Sequence, residues 1–143
     1  MATALRKPVA EQPPDLHRAM LELEGTLWLE PRLRELVSAR TAQLNGASGN
    51  LLRHARQAIG LGETPSRLAA LAGWRDSPLF TEGERAALAL AEALALAPVA
   101  GTVAAAHRDA AEQFGPDELD QLAFACAIEN AWDRLELAAG MIA

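Results

Sequence analysis

Apolar residues recur at intervals of three and four positions along most of the chain. Leu16, Met20, Leu23 and Leu27 are one example, and this interval is the period of an amphipathic helix. Proline at the start of such a segment and glycine just after it mark where a helix begins and ends. The pattern predicts seven helices: from about Asp15, from Pro31 to Gly46, from about Ser48 to between Gly60 and Gly62, from Thr64-Pro65, from Thr81 to before Pro98, from about Thr102 to Phe114, and from Pro116 onward.

Three of these helices also carry capping signals. Thr64-Pro65 has the order of an N-cap residue followed by a first helical residue. Thr81 and Glu84 have the spacing of a capping box. For the helix that starts near residue 48, we expect the cap to be Ser48 or Asn45.

The composition favours helices over strands. The chain is 50% hydrophobic and only 4% aromatic, so its core must consist mainly of Ala and Leu, while the strand-forming residues Val, Ile and Thr are scarce. We therefore predict an all-α bundle in which residues 1–12 form a flexible N-terminal arm and residues 13–143 a single domain. Alanine on more than one face of these helices suggests that some faces are buried against other subunits.

The charge and the hydropathy exclude several classes of partner. A net charge of -6 and a pI of about 5.0 disfavour nucleic acid, because an acidic surface repels phosphate. The longest apolar run, Ala86 to Val99, contains Glu92 and is too short to cross a bilayer. We expect no secretory signal, because no basic segment followed by a continuous apolar segment opens the chain. The single cysteine, Cys126, cannot form an intramolecular disulfide. We expect a cytoplasmic protein that binds neither nucleic acid nor membrane.

One group of residues indicates chemistry. Ala47, Asn50 and His54 are separated by three and four residues, so they share one face of the third helix. Glu35 lies on the preceding helix, and a turn at Gly46 lets the two helices pack antiparallel. We expect the carboxylate and the imidazole to converge near the start of the third helix, where the amide groups favour a thiolate or another anion.

These residues belong to a longer motif that resembles a known family. The segment from Glu35 through Gln43-Leu44-Asn45-Gly46 to His54-Ala55 resembles the core motif of the AhpD-like alkylhydroperoxidases, within the carboxymuconolactone decarboxylase superfamily. Similar stretches follow in the same order: Leu68 to Trp74, Ser77 to Thr81, and Ala127 to Arg134. The resemblance covers about residues 15–137. It implies an AhpD-like helical bundle, a homo-oligomer of two to six subunits, and the peroxiredoxin activity of an antioxidant protein.

The resemblance fails at the reactive positions. In the peroxidase branch, Glu is followed by Cys-x-x-Cys, with His four residues after the second Cys. Glu35 and His54 match the carboxylate and the histidine, whereas Ala47 and Asn50 occupy the two cysteine positions. One thiol must attack the peroxide as a thiolate and a second must resolve the sulfenic acid. A divergent member with a degenerate active site and no thiol peroxidase activity is therefore expected.

Three functions remain open. In the first, the protein keeps a Glu35/His54 pocket for small-molecule binding or for assembly. In the second, it is a cofactor-free acid/base enzyme of the decarboxylase type: His54 is the general acid or base, Glu35 orients it, and Arg53 or Arg56 attracts an anionic substrate. In the third, it is a one-cysteine peroxidase acting through Cys126, which the apolar neighbours of this thiol disfavour.

The two central residues also have simpler interpretations. His54 could be a hydrogen-bonded histidine at the edge of the core. Glu35 could be a solvated residue paired with Arg32, Arg34 or Arg40. In either case the side chain would be structural, and its position in the fold decides between the interpretations.

Two residues near the C-terminus are further candidates for lining the pocket. Asn130 could equally form a structural bond between helices, and Trp132 could be a packing anchor. His17 and His107 are expected at the surface. No spacing of His, Cys or carboxylates indicates a metal site, and no cofactor is predicted.

Overall fold

The computed structural model describes residues 14–96 and 100–140, so the predicted arm at residues 1–12 lies outside the described part. The described residues form seven α-helices and one 3-10 helix: α1 (Pro14–Gly25), α2 (Pro31–Asn45), α3 (Ser48–Gly60), α4 (Pro65–Ala70), the 3-10 helix (Leu71–Asp76), α5 (Glu82–Ala95), α6 (Ala100–Ala111) and α7 (Pro116–Ala139). The all-α prediction is confirmed. Within the described ranges, every helix is too short or too polar to cross a membrane.

α2 lies at the centre of the bundle and packs against α3, α5 and α7. Leu36 and Val37 are almost completely buried in its middle turns, and Leu88 and Leu90 of α5 are equally buried. Alanines fill the spaces between these larger side chains, which allows the helix axes to approach closely. The core is therefore built mainly from Leu and Ala, and α2 is the element against which the others are positioned.

Hydrogen bonds at the helix ends explain where α2, α4 and α5 begin or end. The Thr64 hydroxyl accepts the amide of Arg67 at 3.2 Å, and the Thr81 hydroxyl accepts the amide of Glu84 at 3.1 Å. Thr64 and Thr81 are both confirmed as N-cap residues, while the Glu84 carboxylate of the predicted capping box pairs with Arg67. α2 ends at Gly46, whose φ of 72° lies in the left-handed region that glycine adopts without strain. This turn sends α3 back along α2.

One helix end differs from its prediction. The spacing predicted a helix up to Phe114, but α6 ends at Ala111. The amides of Gln113 and Phe114 both donate to the carbonyl of Ala110, which tightens the chain into a turn before Gly115. α6 is therefore one turn shorter than predicted at its C-terminal end.

α1 has the predicted helical period but contributes no fully buried side chain. Leu16 and Leu23 are 68% and 46% exposed. On its inner side α1 rests on α7, where Met20 contacts Ile128 and Trp132. The apolar face of α1 is thus only partly covered within a single chain.

Candidate functional site

His54 lies at the junction of α2, α3 and α7, with only 2% of its surface exposed. Its Nδ1 is 2.6 Å from Oε2 of Glu35 on α2, and its Nε2 is 2.8 Å from Oε2 of Glu129 on α7. Both carboxylates are buried. We call these three residues the His54 cluster. Glu35 and His54 converge in the second turn of α3, slightly beyond the expected position at its start.

The interpretation of Glu35 as a solvated residue is wrong, because only 4% of it is exposed. Of the three arginines considered as partners, Arg34 lies 3.8 Å from Glu35, while Arg40 pairs with another carboxylate. His54 likewise lies in the interior and not at the edge of the core. Two buried ionisable groups in direct contact determine each other's charge.

The ionisation of His54 follows from its two carboxylate neighbours. Burial lowers the pKa of the imidazole by disfavouring its charged form, but the hydrogen bonds with Glu129 and Glu35 outweigh that effect and raise the pKa to about 9. At neutral pH His54 is therefore an imidazolium that donates one N–H to each carboxylate. In this state it can release a proton as a general acid but cannot accept one.

Glu129 belongs to a row of buried acidic residues that the sequence-based prediction missed. Glu129, Asp133 and Glu136 follow one another along α7 at intervals of four and three residues, so they lie on one side of the helix. Each is at most 5% exposed. Their signal was present in the sequence, as carboxylates at helical spacing within a largely apolar segment. Such residues need buried partners, and here the partners are on α2 and α3.

Asp133 is held by two amide side chains and by a second carboxyl group. Asn45 Nδ2 donates to its Oδ2 at 2.8 Å, and Asn50 Nδ2 donates to its Oδ1 at 3.2 Å. Burial first, and then the hydrogen bond with Glu129, raise the pKa of Asp133 to about 7. Because of the raised pKa, Asp133 is protonated below about pH 7, which reduces the repulsion between the two neighbouring carboxyl groups.

The start of α3 is capped differently from the prediction. Neither Ser48 nor Asn45 caps it, since the N-cap residue is Ala47, which has no side-chain acceptor. The carboxylate of Glu136 accepts the amide of Gly49 at 2.7 Å and that of Asn50 at 2.9 Å. The anion expected at this helix start is therefore a carboxylate of the protein itself, and it comes from a distant part of the chain.

The residues at the two cysteine positions of the motif are fully buried. Ala47 and Asn50 both have 0% exposure. The amide nitrogen of the Asn50 side chain donates to Asp133, while its Oδ1 is buried without a hydrogen-bond partner. Position 50 thus contributes an amide to the polar network at the place where the motif would supply its second thiol.

Cys126 lies in the core and is fully buried. Burial, and then the nearby charge of Glu129, raise the pKa of its thiol to about 12. The thiol is therefore protonated at physiological pH, in the form that does not attack peroxides.

The two further pocket candidates make contacts that link helices. Asn130 Oδ1 accepts the side-chain amide of Asn45 at 3.0 Å, which is the structural bond considered as its alternative. Trp132 is fully buried and donates its Nε1–H to Glu24 of α1 at 3.2 Å. His17, expected at the surface, is half-buried because its ring lies edge-on to Trp132 at 5.3 Å. His107 is exposed as expected.

The two arginines considered as substrate contacts differ in position. Arg53 is half-buried and places Nη2 3.1 Å from His54 Nε2. Arg56, one turn further along α3, is exposed and forms no ion pair with any described residue. Arg53 therefore adjoins the His54 cluster and Arg56 does not.

A surface pocket of about 220 Å³ opens elsewhere, between the first turns of α2, α5 and α7. Its lining includes Leu33, Arg67 and Phe114 but no residue of the His54 cluster. In the part of the chain that the structure describes, no three His, Cys, Asp or Glu side chains are placed to hold a metal ion.

Two known proteins have sequences similar to this chain. An uncharacterized protein of Bacillus subtilis, YdfG, is 28% identical over 107 residues, which are 75% of this chain and 73% of YdfG. Another uncharacterized protein, YnjA of Escherichia coli, is 38% identical over 87 residues, which are 57% of this chain and 48% of YnjA.

A solved structure has the same fold. It is an Agrobacterium tumefaciens protein of unknown function, proposed to be the antioxidant defence protein AhpD, and it superposes with a TM-score of 0.88 at 25% identity over 94% of both chains. Residues 14–93 match the carboxymuconolactone decarboxylase family. This chain has the AhpD-like fold, carries a single cysteine outside the motif, and belongs to the carboxymuconolactone decarboxylase family.

Proposed function

We propose that this protein is a divergent family member without thiol peroxidase activity. The observation that carries the proposal is the use of the helix-start amides of α3 by Glu136, beside Ala47 and Asn50 at the positions of the missing thiols. A peroxidatic thiolate is stabilised by a helix N-terminus and by nearby cations. Here an internal carboxylate occupies that place, so even the electrostatic conditions for a thiolate are altered.

In this proposal the His54 cluster organises a site for a small molecule. The imidazolium is fixed by carboxylates on both ring nitrogens, at 2.6 and 2.8 Å, which gives a rigid donor at the junction of three helices. Arg53 joins the cluster to the more exposed face of α3. A ligand would approach from this side, because Glu35 and Glu129 close the other two sides of the ring.

The test is turnover of an alkyl hydroperoxide with a dithiol reductant. We expect no turnover by the wild type or by Cys126→Ser, which controls for the only natural thiol. The double variant Ala47→Cys/Asn50→Cys reports whether the remaining residues support the chemistry once thiols are present. Wild-type turnover that disappears in Cys126→Ser would refute the proposal and establish the one-cysteine peroxidase.

A cofactor-free acid/base enzyme is the second candidate, supported by the charge state of His54. With a pKa of about 9, the imidazolium can serve as general acid toward the carbonyl oxygen of a lactone or a carboxylic acid. A panel of lactones and carboxylic acids tests this function. Turnover that is lost in His54→Gln and falls above about pH 9 would support it, whereas a wild type inactive on the whole panel would exclude it.

We also propose that the protein assembles as a homo-oligomer, between a dimer and a hexamer, in the cytoplasm. Large apolar side chains are exposed on three helices. They are Leu16, Leu21 and Leu23 of α1, Leu52 and Ile59 of α3, and Phe124 and Leu137 of α7. Contacts between copies would remove these surfaces from water.

A further inference from the structure

Arg53 is held in an unusual electrostatic environment. Its Nη2 lies 3.1 Å from His54 Nε2, but this contact is not a hydrogen bond, since the imidazolium nitrogen already donates to Glu129. Arg53 Nε is buried and has no hydrogen-bond partner, and Nη1 donates only to the neutral side chain of Gln57, at 3.2 Å. A guanidinium therefore lies against another cation with one donor unsatisfied.

Three other partly buried or exposed arginines of the protein reach carboxylates. Arg40 and Arg75 pair with Glu92. Arg67 pairs with Glu63 and Glu84. Arg53 has no carboxylate within 4 Å among the described residues. Glu129, the carboxylate on the Nε2 side of the ring, directs its Oε2 to His54.

Nε–H and Nη2–H lie on the same edge of a guanidinium, where they form a fork that fits the two oxygens of a carboxylate. In Arg53 this edge carries the buried donor without a partner and also the nitrogen nearest to His54. An oxyanion bound there would satisfy the buried donor and reduce the repulsion between the two cations.

We infer that the small molecule bound at the His54 cluster carries an anionic oxygen group, a carboxylate, which Arg53 holds through this fork. The inference rests on the proposed function, because it names the ligand class of the same site. Arg53 is then the specificity-determining residue, and it places the anionic group beside the imidazolium. Arg56 lies on the same helix without contacting the cluster, so it has no part in this recognition.

The experiment compares benzoate with benzamide, which has nearly the same shape and no charge. Binding to the full-length protein is measured by calorimetry, and the ring nitrogen resonances of His54 are followed by NMR. We expect benzoate to bind to the wild type and to shift the His54 resonances, and benzamide to do neither. Arg53→Gln should weaken benzoate binding roughly 10- to 100-fold, which is the usual effect of removing hydrogen bonds between charged groups.

Arg56→Gln is the matched control, because it removes the same charge from the same helix, and it should leave benzoate binding unchanged. Arg53→Lys keeps the charge but removes the fork, so it should also weaken binding, and it covers the case in which Arg53→Gln fails to fold. Equal loss in the Arg53→Gln and Arg56→Gln variants would overturn the inference, since net charge would then explain the effect. Absence of benzoate binding to the wild type would also overturn it. Both results are independent of the proposed lack of peroxidase activity, which is measured separately.

Discussion

At the scale of single residues, the buried charge of His54 is the feature with the largest consequences. An isolated imidazolium would lose its proton in the interior, because burial disfavours the charged form. Glu35 and Glu129 reverse that preference by accepting one N–H each. Three helices are thereby joined through one ring, and the charge of that ring decides which chemistry is available.

Replacing Glu129 with glutamine tests whether this carboxylate keeps the buried His54 charged. The variant keeps an acceptor of the same shape but removes the negative charge, so the pKa of His54 should fall well below about 9. The free energy of unfolding at neutral pH should decrease by about 1–3 kcal/mol, because the hydrogen bond loses its charged acceptor. An NMR titration of His54 and urea unfolding measure the two effects. Glu112→Gln, at an exposed position, is the control; an unchanged His54 titration in Glu129→Gln would contradict the argument.

The raised pKa of His54 also predicts how the free energy of unfolding depends on pH. The pKa of His54 is raised in the folded state from 6.5 to about 9, so its contribution is complete below about pH 6.5 and is lost as the pH rises through about 9. The loss should be on the order of 3 kcal/mol, since a tenfold change in proton affinity between the folded and unfolded states corresponds to about 1.4 kcal/mol. The stability change linked to Asp133 falls between about pH 3.8 and 7, because its pKa rises from 3.8 to about 7, and so it overlaps this window only at its lower end.

Urea unfolding at several pH values measures this dependence, with His54→Gln as reference. The wild type should lose stability relative to the variant between about pH 6.5 and pH 9. Parallel curves for the two proteins would show that His54 does not change its protonation on unfolding.

At the scale of secondary structure elements, the start of α3 shows how a family motif has been altered. The helix start favours an anion, and Glu136 supplies one from α7. A thiol introduced at residue 47 would therefore meet a carboxylate as well as the amide groups. The two influences on its pKa have opposite signs, and the carboxylate opposes the thiolate.

The rate at which an introduced thiol is alkylated measures how strongly Glu136 disfavours the thiolate. In a Cys126→Ser background, Ala47→Cys should react slowly with iodoacetamide at neutral pH, because residue 47 is buried and Glu136 raises the pKa of the thiol. Adding Glu136→Gln should lower that pKa and increase the rate several-fold. Glu112→Gln in the same background should leave the rate unchanged. Equal rates with and without Glu136→Gln would mean that the carboxylate exerts no control over this position.

The elements also show what the sequence can and cannot predict. Helix starts at Pro31, Thr64 and Thr81 depend on neighbouring residues, so local patterns predict them correctly. The proximity of Glu35 and His54 is also short-range, since one turn at Gly46 connects their helices. Glu136 and Glu129, by contrast, reach α3 across more than seventy residues of chain. Their partners depend on how α7 packs, and helical spacing alone carries no information about that.

At the scale of the whole molecule, the single chain leaves several large apolar side chains exposed to water. On α3, Leu52 and Ile59 are 51% and 43% exposed and lie two turns apart on the same face. Leu96, at the C-cap of α5, is 61% exposed and lies on a different helix. Isolated apolar residues are common on monomer surfaces, whereas contiguous ones indicate contacts with another molecule.

We therefore expect Leu52→Glu/Ile59→Glu to reduce the assembled mass of the protein, because charges would be placed within an interface between copies. Light scattering after size-exclusion chromatography gives the mass at micromolar concentration, and circular dichroism checks that the helices are retained. Leu96→Glu is the matched control and should assemble like the wild type. A monomeric wild type would contradict the proposed homo-oligomer. Unchanged mass in the double variant would instead leave α1 and α7, where Leu16 and Phe124 are 68% and 57% exposed, as the surfaces that join the copies.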